Sequence, residues 1–242
     1  MMNDTRRRCP WRTWDDPLFL AYHDTEWGVP VREDRVIYEF LVLETFQAGL
    51  SWRTVLHKRE RFRYQFAGFD VDAVARFGAR DVTRLLRDAG IIRNRAKIEA
   101  AVNNAKRFLA VRREFGTFAK YMWSWVGGTP LIHRLRSLQD YPTSTEEAVA
   151  WAADLKRRGF RFLGPTVVYA HMQAIGMVNP AIASRPMAVG GQVVEQPMGG
   201  QDVAPIGGNV PVPWALPAGL HDHTVDCFRY RQLAGSSLKG KR

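Results

Sequence analysis

From residue 34 to about 178, apolar positions return at three- and four-residue steps, the period of helices with one face turned to a core. "DRVIYEFLVLETFQAGL" keeps that rhythm, with Asp34 placed to cap its start and Gly49 to end it. "DVTRLLRDAG" is a second helix stopping at Gly90, and "NRAKIEAAVNNAKRFLAVRREF" restarts the pattern. "TSTEEAVAWAADLKRRGF" opens with Ser144 or Thr145 ahead of two glutamates and closes on basic residues and Gly159, as helix polarity favours. "TVVYAHMQAIGMV" reads as a further, largely apolar helix. Alternating strand patterns are scarce, so the chain is expected to be all-α, with one short extended piece near "PLIHRLRS".

The pattern breaks at residues 180–220. Seven prolines and seven glycines fall there, and only Arg185, Glu195 and Asp202 are charged. Such a Pro/Gly share marks a low-complexity, flexible segment, and "GSSLKGKR" reads as a frayed tail.

Composition narrows the class. With 46% hydrophobic and 12% aromatic residues, the 242-residue chain can bury a core. No apolar run approaches the roughly 18 residues of a membrane helix. The start lacks the apolar stretch of a secretory signal, and two cysteines argue against a disulfide framework, so a reducing, cytoplasmic setting is expected. Lys and Arg outnumber Asp and Glu 35 to 24, a net charge of +11 that attracts polyanions, nucleic acid first among them. A basic but otherwise ordinary enzyme would show the same excess.

Three constellations carry candidate chemistry. Cys9, His23, His223 and Cys227 would form a two-thiolate, two-imidazole tetrahedral set, although the 14-residue gap between Cys9 and His23 is not diagnostic. Buried cysteines and surface histidines are the plainer alternative. Glu44 shares a helical stripe with Ile37, Leu41 and Ala48, an expensive place for a carboxylate without a partner or a task, unless it sits at the stripe's edge and reaches solvent. Around it stand Gln47, Leu50, Trp52, Phe19, Tyr22 and Trp27. Rings with a carboxylate among them suit a flat, cationic or hydrogen-bond-donating base, and equally suit a core. Finally, "LLRDAGIIRNRAKIEA" is helix, glycine turn, helix, with Arg93, Arg95 and Lys97 at the junction, a shape that can grip a phosphate.

Together "RCPW", "DPLFLAYHDTEWGVP", "LETFQAGLSWRTVL", "DAGIIRNRAKI", "SWV", "PTST" and "LKRRGFRFLGPTVVYAHMQAIGMVN" resemble the DNA-3-methyladenine glycosylase I family of the helix-hairpin-helix superfamily, in the family's order from Cys9 to Asn179. The resemblance implies a helix-hairpin-helix glycosylase fold with a structural zinc site joining the two ends of the chain. It implies one Zn2+ at Cys9, His23, His223 and Cys227. The family passes straight from its last core helix to an H-x3-C segment, whereas here "PAIAS" follows Asn179 and "DHTVDCFRY" resumes later. Residues 1–179 and 222–234 are then one domain, 180–221 an insertion and 235–242 a tail.

By the same resemblance, Glu44 is the candidate catalytic, base-recognising carboxylate. Trp11, Phe19, Tyr22, Trp27, Gln47 and Trp52 line the base pocket, with Phe19 standing where relatives carry tyrosine. Gly49 and Leu50 form the wedge that enters the base stack, and Gly90, Arg93, Arg95 and Lys97 the DNA-anchoring hairpin. The implied activity is monofunctional excision of 3-methyladenine from alkylated double-stranded DNA by a monomer, without lyase action, since no lysine nucleophile is assigned. Two rivals remain: a DNA-binding relative that has lost its chemistry, and a zinc-dependent hydrolase, which four ligands with no open position disfavour.

Overall fold

A computed structural model of the chain describes residues 15–135, 142–182, 188–189 and 192–193. Among them run α1 (Pro17–Thr25), α2 (Asp34–Gln47), α3 (Trp52–Leu56), α4 (Arg59–Gln65), α5 (Val71–Ala75), α6 (Ala79–Arg87), α7 (Arg95–Phe115), α8 (Phe118–Ser124), α9 (Glu146–Arg157) and α10 (Pro165–Ala174). A 3-10 turn at Ala67–Phe69 links α4 to α5. The helical reading of the periodicity thus holds. The extended piece is β1 (Leu131–Leu135), which pairs in parallel with β2 (Val178–Ile182). β3 (Ala188–Val189) and β4 (Gln192–Val193) form a minimal antiparallel pair. β2 carries the backbone ladder through residue 182, into the segment read as an insertion. The resumption at 222–234 and the tail at 235–242 lie outside the described residues.

Most helix starts follow the capping chemistry of their sequence. Asp16, Ser51, Asp70, Asn94, Thr117 and Thr145 each accept a first-turn N–H of the helix they open. Of the two candidates before α9, Thr145 is the cap. Asp34 corrects the expectation. Glu33 occupies the N-cap of α2 without a side-chain bond, and the Asp34 carboxylate reaches across to the N–H groups of Phe118 (3.1 Å) and Ala119 (2.9 Å). It therefore caps α8, satisfying two donors that α8 cannot satisfy itself.

α2 lies at the centre, packed against α7, α8 and α10. Every residue from Ile37 to Gln47 is buried, so this helix has no solvent face along most of its length. Phe46 of this helix meets Phe62 edge-on, Phe62, Phe66 and Phe69 stack in sequence, and Phe108 and Phe118 stack at 3.9 Å. The aromatic surplus is largely core.

The connector from α1 to α2 crosses the end of α10. Gly28 N–H donates to the Ala174 carbonyl and Val31 N–H to that of Ile175. Gly176 sits at φ +70°, and a Cβ there would lie 2.6 Å from both the Pro30 nitrogen and the Val29 carbonyl carbon. Backbone on backbone leaves nothing flexible to move. Gly176→Ala is expected to cost about 2–3 kcal/mol through strain and forced separation, visible as a lowered melting temperature.

α10 also holds His171 in the core, 2% exposed, 5.9 Å from the Trp151 ring. Neither of its ring nitrogens has a hydrogen-bond partner among the described residues. Burial pushes its pKa down to about 3. The unfolded chain therefore takes up this proton first. Its contribution to stability is whole above the unfolded value near 6.5 and falls as the pH drops toward 3, by up to about 1.4 kcal/mol per pH unit. Thermal melts between pH 7 and pH 4 should show that slope in the wild type and a shallower one in His171→Phe.

Candidate functional site

α2 brings Glu44 and Gln47 one and two turns beyond Phe40, on the same face of the helix. Glu44 is 2% exposed, so it does not reach solvent at the edge of a stripe. The Phe40 ring stacks on Trp52 of α3 at 6.4 Å with an interplanar angle of 16°. Tyr22 of α1 lies 5.2 Å from Trp52 and 6.3 Å from Phe40, and Phe19 meets Tyr22 edge-on at 6.5 Å. Three helices thus place Phe19, Tyr22, Phe40 and Trp52 in one aromatic group beside the face that carries Glu44. Trp27 stacks on His23 at 5.9 Å, at the end of α1. Phe40 was missed by the sequence reading. Its i, i+4 spacing from Glu44 is the signal that could have found it. Trp11 lies outside the described residues.

Two ionic clusters hold these helices in register. Asp16 caps α1 with one carboxylate oxygen and accepts from Arg53 (2.8 Å) and His57 (2.6 Å) of the α3 region with the other. Burial works to raise its pKa, but the hydrogen bonds from His57 and the Phe19 N–H, with the nearby Arg53 charge, outweigh burial and hold it below the ordinary value. Behind α2, Glu39 accepts from Arg59 and Arg63, both at 2.7 Å, and Arg59 also binds Glu26 at 2.6 Å. The Arg59 guanidinium lies 5.0 Å from the centre of the Phe40 ring.

The turn leaving α2 is the next element. Leu50 N–H donates to the Gln47 carbonyl at 2.6 Å, with Ala48 at φ −48°, ψ 115° and Gly49 at φ +82°. These angles make a type II turn, whose third position needs a residue tolerant of positive φ, which Gly49 supplies. Leu50 stands out of it, 41% exposed.

The helix junction at 88–94 is latched from within. Gly90 N–H donates to the Asp88 carboxylate, Arg61 pairs with that carboxylate at 2.6 Å, and Lys58 donates to the Ala89 carbonyl. Arg93 and Arg95 are exposed, Arg95 in a loose 3.4 Å pair with Glu99. Lys97 is not on that surface. It is 7% exposed, and its ammonium donates to the carbonyls of Phe46 (3.0 Å) and Ala48 (2.6 Å).

A second basic hairpin, between α9 and α10, went unnoticed in the sequence. Its turn holds Gly159 at φ +84° and Phe162 at φ +59°, a strained conformation for a non-glycine residue. Asn104 pairs with the Arg161 backbone through both its amide groups, and Asn103 donates to the Gly159 carbonyl. Exposed Arg157 and Arg161 flank it, and Gly164-Pro165 opens α10 with first-turn N–H groups that have no acceptor within the helix. The glycine, proline and arginines of "RRGFRFLGPT" were the available signal.

Of the four expected metal ligands, Cys9, His223 and Cys227 lie outside the described residues. His23 is buried, and its Nδ1 meets the Asp24 carboxylate at 2.9 Å. A carboxylate on one nitrogen is how proteins orient a metal-binding imidazole, so His23 fits that chemistry, and coordination would use Nε2. Among the described residues no group of three or more His, Cys, Asp or Glu could hold a metal ion, and no helix is long and apolar enough to cross a membrane.

Known proteins match this arrangement. Residues 11–186 match the methyladenine glycosylase family model. DNA-3-methyladenine glycosylase 1 of Escherichia coli is 46% identical over 172 residues, 71% of this chain and 91% of that protein. The crystal structure of a 3-methyladenine DNA glycosylase I, 48% identical, superposes with a TM-score of 0.70 over 74% of this chain and 97% of its own. A tyrosine-to-phenylalanine variant of a 3-methyladenine DNA glycosylase I, in complex with 3-methyladenine, is 36% identical with a TM-score of 0.68, covering 71% of this chain and 92% of its own.

Proposed function

The chain belongs to the methyladenine glycosylase family, and we infer that it is a DNA-3-methyladenine glycosylase, excising 3-methyladenine from alkylated DNA by hydrolysing the bond between base and deoxyribose. The observation that carries the site assignment is Glu44, a carboxylate 2% exposed on the face of α2 whose Phe40 ring stacks on Trp52.

Methylation at N3 makes the bound adenine cationic. When its glycosidic bond breaks, the bonding pair leaves with the base, which departs neutral. The deoxyribose carbon takes the oxygen of water, and a proton goes to solvent. A leaving group of this kind needs little acid assistance, so the site's task is selection and placement. Glu44 accepts hydrogen bonds from the exocyclic amino edge and balances the positive ring. Phe19, Tyr22, Trp27, Gln47 and Trp52, with Trp11, enclose the base, and Phe40 backs Trp52. Aromatic faces favour a cation over a neutral ring. Leu50 fills the gap left by the extruded nucleotide. Arg93 and Arg95, with the α9–α10 hairpin as a second phosphate contact, hold the backbone. The family resemblance assigns no lysine nucleophile, so the proposed reaction stops at hydrolysis. The chain works as a monomer, in the cytoplasm, as its cysteine-poor composition favours.

Zinc would be held by Cys9, His23, His223 and Cys227, with Asp24 orienting His23. It would supply a crosslink between the two ends of the chain and take no part in the hydrolysis. The proposal keeps 180–221 as an insertion between the core and the last two ligands, since doubling a flexible loop costs only about 0.6 kcal/mol.

Glu44→Gln keeps the shape and removes the charge. Release of 3-methyladenine from methylated duplex DNA, resolved by chromatography, should fall roughly ten- to a hundredfold. DNA binding with no base released by the wild type would sink the enzymatic reading. Metal analysis of the purified protein should find one zinc per chain, and a strong chelator should lower the melting temperature. Activity lost on chelation at unchanged thermal stability would point to a catalytic metal instead.

A further inference from the structure

Lys97 is the third residue of α7, in the first turn of that helix, where the dipole is positive and a cation is unfavourable. Burial acts in the same direction, lowering its pKa below the ordinary lysine value. What the ammonium gains is two carbonyls at the other end of another helix, Phe46 O at 3.0 Å and Ala48 O at 2.6 Å. The Phe46 carbonyl is buried, so there the ammonium stands in for water, but the Ala48 carbonyl did not need it for solvation. Ala48, Gly49 and Leu50 are exposed, and water could have served them.

The geometry of the turn says what Lys97 adds. Type I and type II turns differ by a rotation of the central peptide unit, which reverses the direction of the carbonyl belonging to the second residue. In the 47–50 turn that carbonyl is Ala48 O, the one Lys97 holds at 2.6 Å. While the ammonium is bound there the peptide cannot turn over, and the backbone that presents Leu50 is stiff. The second bond, to Phe46 O, ties the same cation to the last turn of α2, two residues beyond Glu44. One side chain thus links the start of α7, where exposed Arg93 and Arg95 lie, to the turn carrying Leu50.

We propose that Lys97 is a positioning residue for base extrusion: it pins the peptide between Ala48 and Gly49 so that Leu50 can press into the base stack without its turn giving way, and it makes no contact with phosphate. This rests on the glycosylase reading of the site, with Leu50 as the inserted side chain.

The test is a double-mutant cycle of Lys97→Met and Leu50→Ala, read by single-turnover release of 3-methyladenine from methylated duplex DNA. Lys97→Met should slow release roughly ten- to a hundredfold, the size expected for a lost charge-assisted hydrogen bond, and should add nothing in the Leu50→Ala background. Binding of the free base 3-methyladenine, followed by tryptophan fluorescence, should stay near the wild-type value, as should the salt dependence of duplex binding. Lys97→Gln, which can still donate to one carbonyl, should recover part of the rate and serves if the methionine variant does not fold. Effects that add across the cycle would overturn the proposal. So would a salt dependence shallower by about one counterion in Lys97→Met, the mark of a phosphate contact. Loss of free-base binding in both Lys97 variants would reduce the residue to a general stabiliser. A wild type that releases no 3-methyladenine fails the glycosylase reading itself, and this proposal with it.

Discussion

α2 has to stay buried along most of its length while carrying two carboxylates on that buried stretch, and the rest of the site is arranged around that constraint. Glu39 and Glu44, five residues apart, leave the helix on different sides. Glu39 is answered by Arg59 and Arg63, and Arg59 also reaches Glu26 on the connector after α1. Removing one partner from a buried pair of this kind typically costs about 3–5 kcal/mol, because the other charge is left stranded. The cluster therefore settles the relation of α1, α2 and α4 before any ligand arrives. Its Arg59 lies against Phe40, whose ring belongs to the group around Glu44.

The ends of α2 are held as firmly as its middle. Asp34 at the start serves α8 rather than its own helix. At the other end Lys97 closes over the last carbonyls. The aromatic rings come from α1, α2 and α3, and Asp16 joins the first of these to the third through one carboxylate. The side chains proposed to enclose a flat base are thus carried on elements braced by charge-assisted bonds, which are shorter and stronger than neutral ones.

How much of this was legible in the sequence depends on what each signal measures. Helix periodicity and capping residues were readable because they are local: Thr145, Asn94 and Ser51 do what their types suggest. The stripe of Ile37, Leu41, Glu44 and Ala48 was too narrow a reading of α2, since a helix buried on all sides has no polar face to reveal its orientation. The parallel pairing of β1 with β2 left no alternation to detect, as expected of short strands. Charge misled most. Lys97, Arg93 and Arg95 look equivalent as letters, but α2 lies beside the first and solvent beside the others, and sequence does not say what faces a side chain across space. The α9–α10 hairpin was overlooked for a related reason: its shape is held by Asn103 and Asn104, more than fifty residues earlier in the chain. The resemblance supplied the roles of Glu44 and the rings. The structure adds Phe40 and the bracing that no motif contains.

A carboxylate buried among aromatic rings discriminates by charge as well as by shape. If Glu44 meets the base as proposed, its attraction to a cationic ring in a partly desolvated site is several times what water would allow, whereas a neutral adenine gains only the hydrogen bonds at its edge. The rings work in the same direction, because their faces favour positive charge. On the proposed reading, normal bases, which form the overwhelming excess in any duplex, are disfavoured by charge as well as by fit. The same electrostatics bears on the chemistry: as the glycosidic bond breaks, the base loses its positive charge and the sugar begins to acquire one. On the proposed reading, a carboxylate fixed close to both accompanies that movement. A helix braced at both ends keeps the Glu44 carboxylate from turning aside.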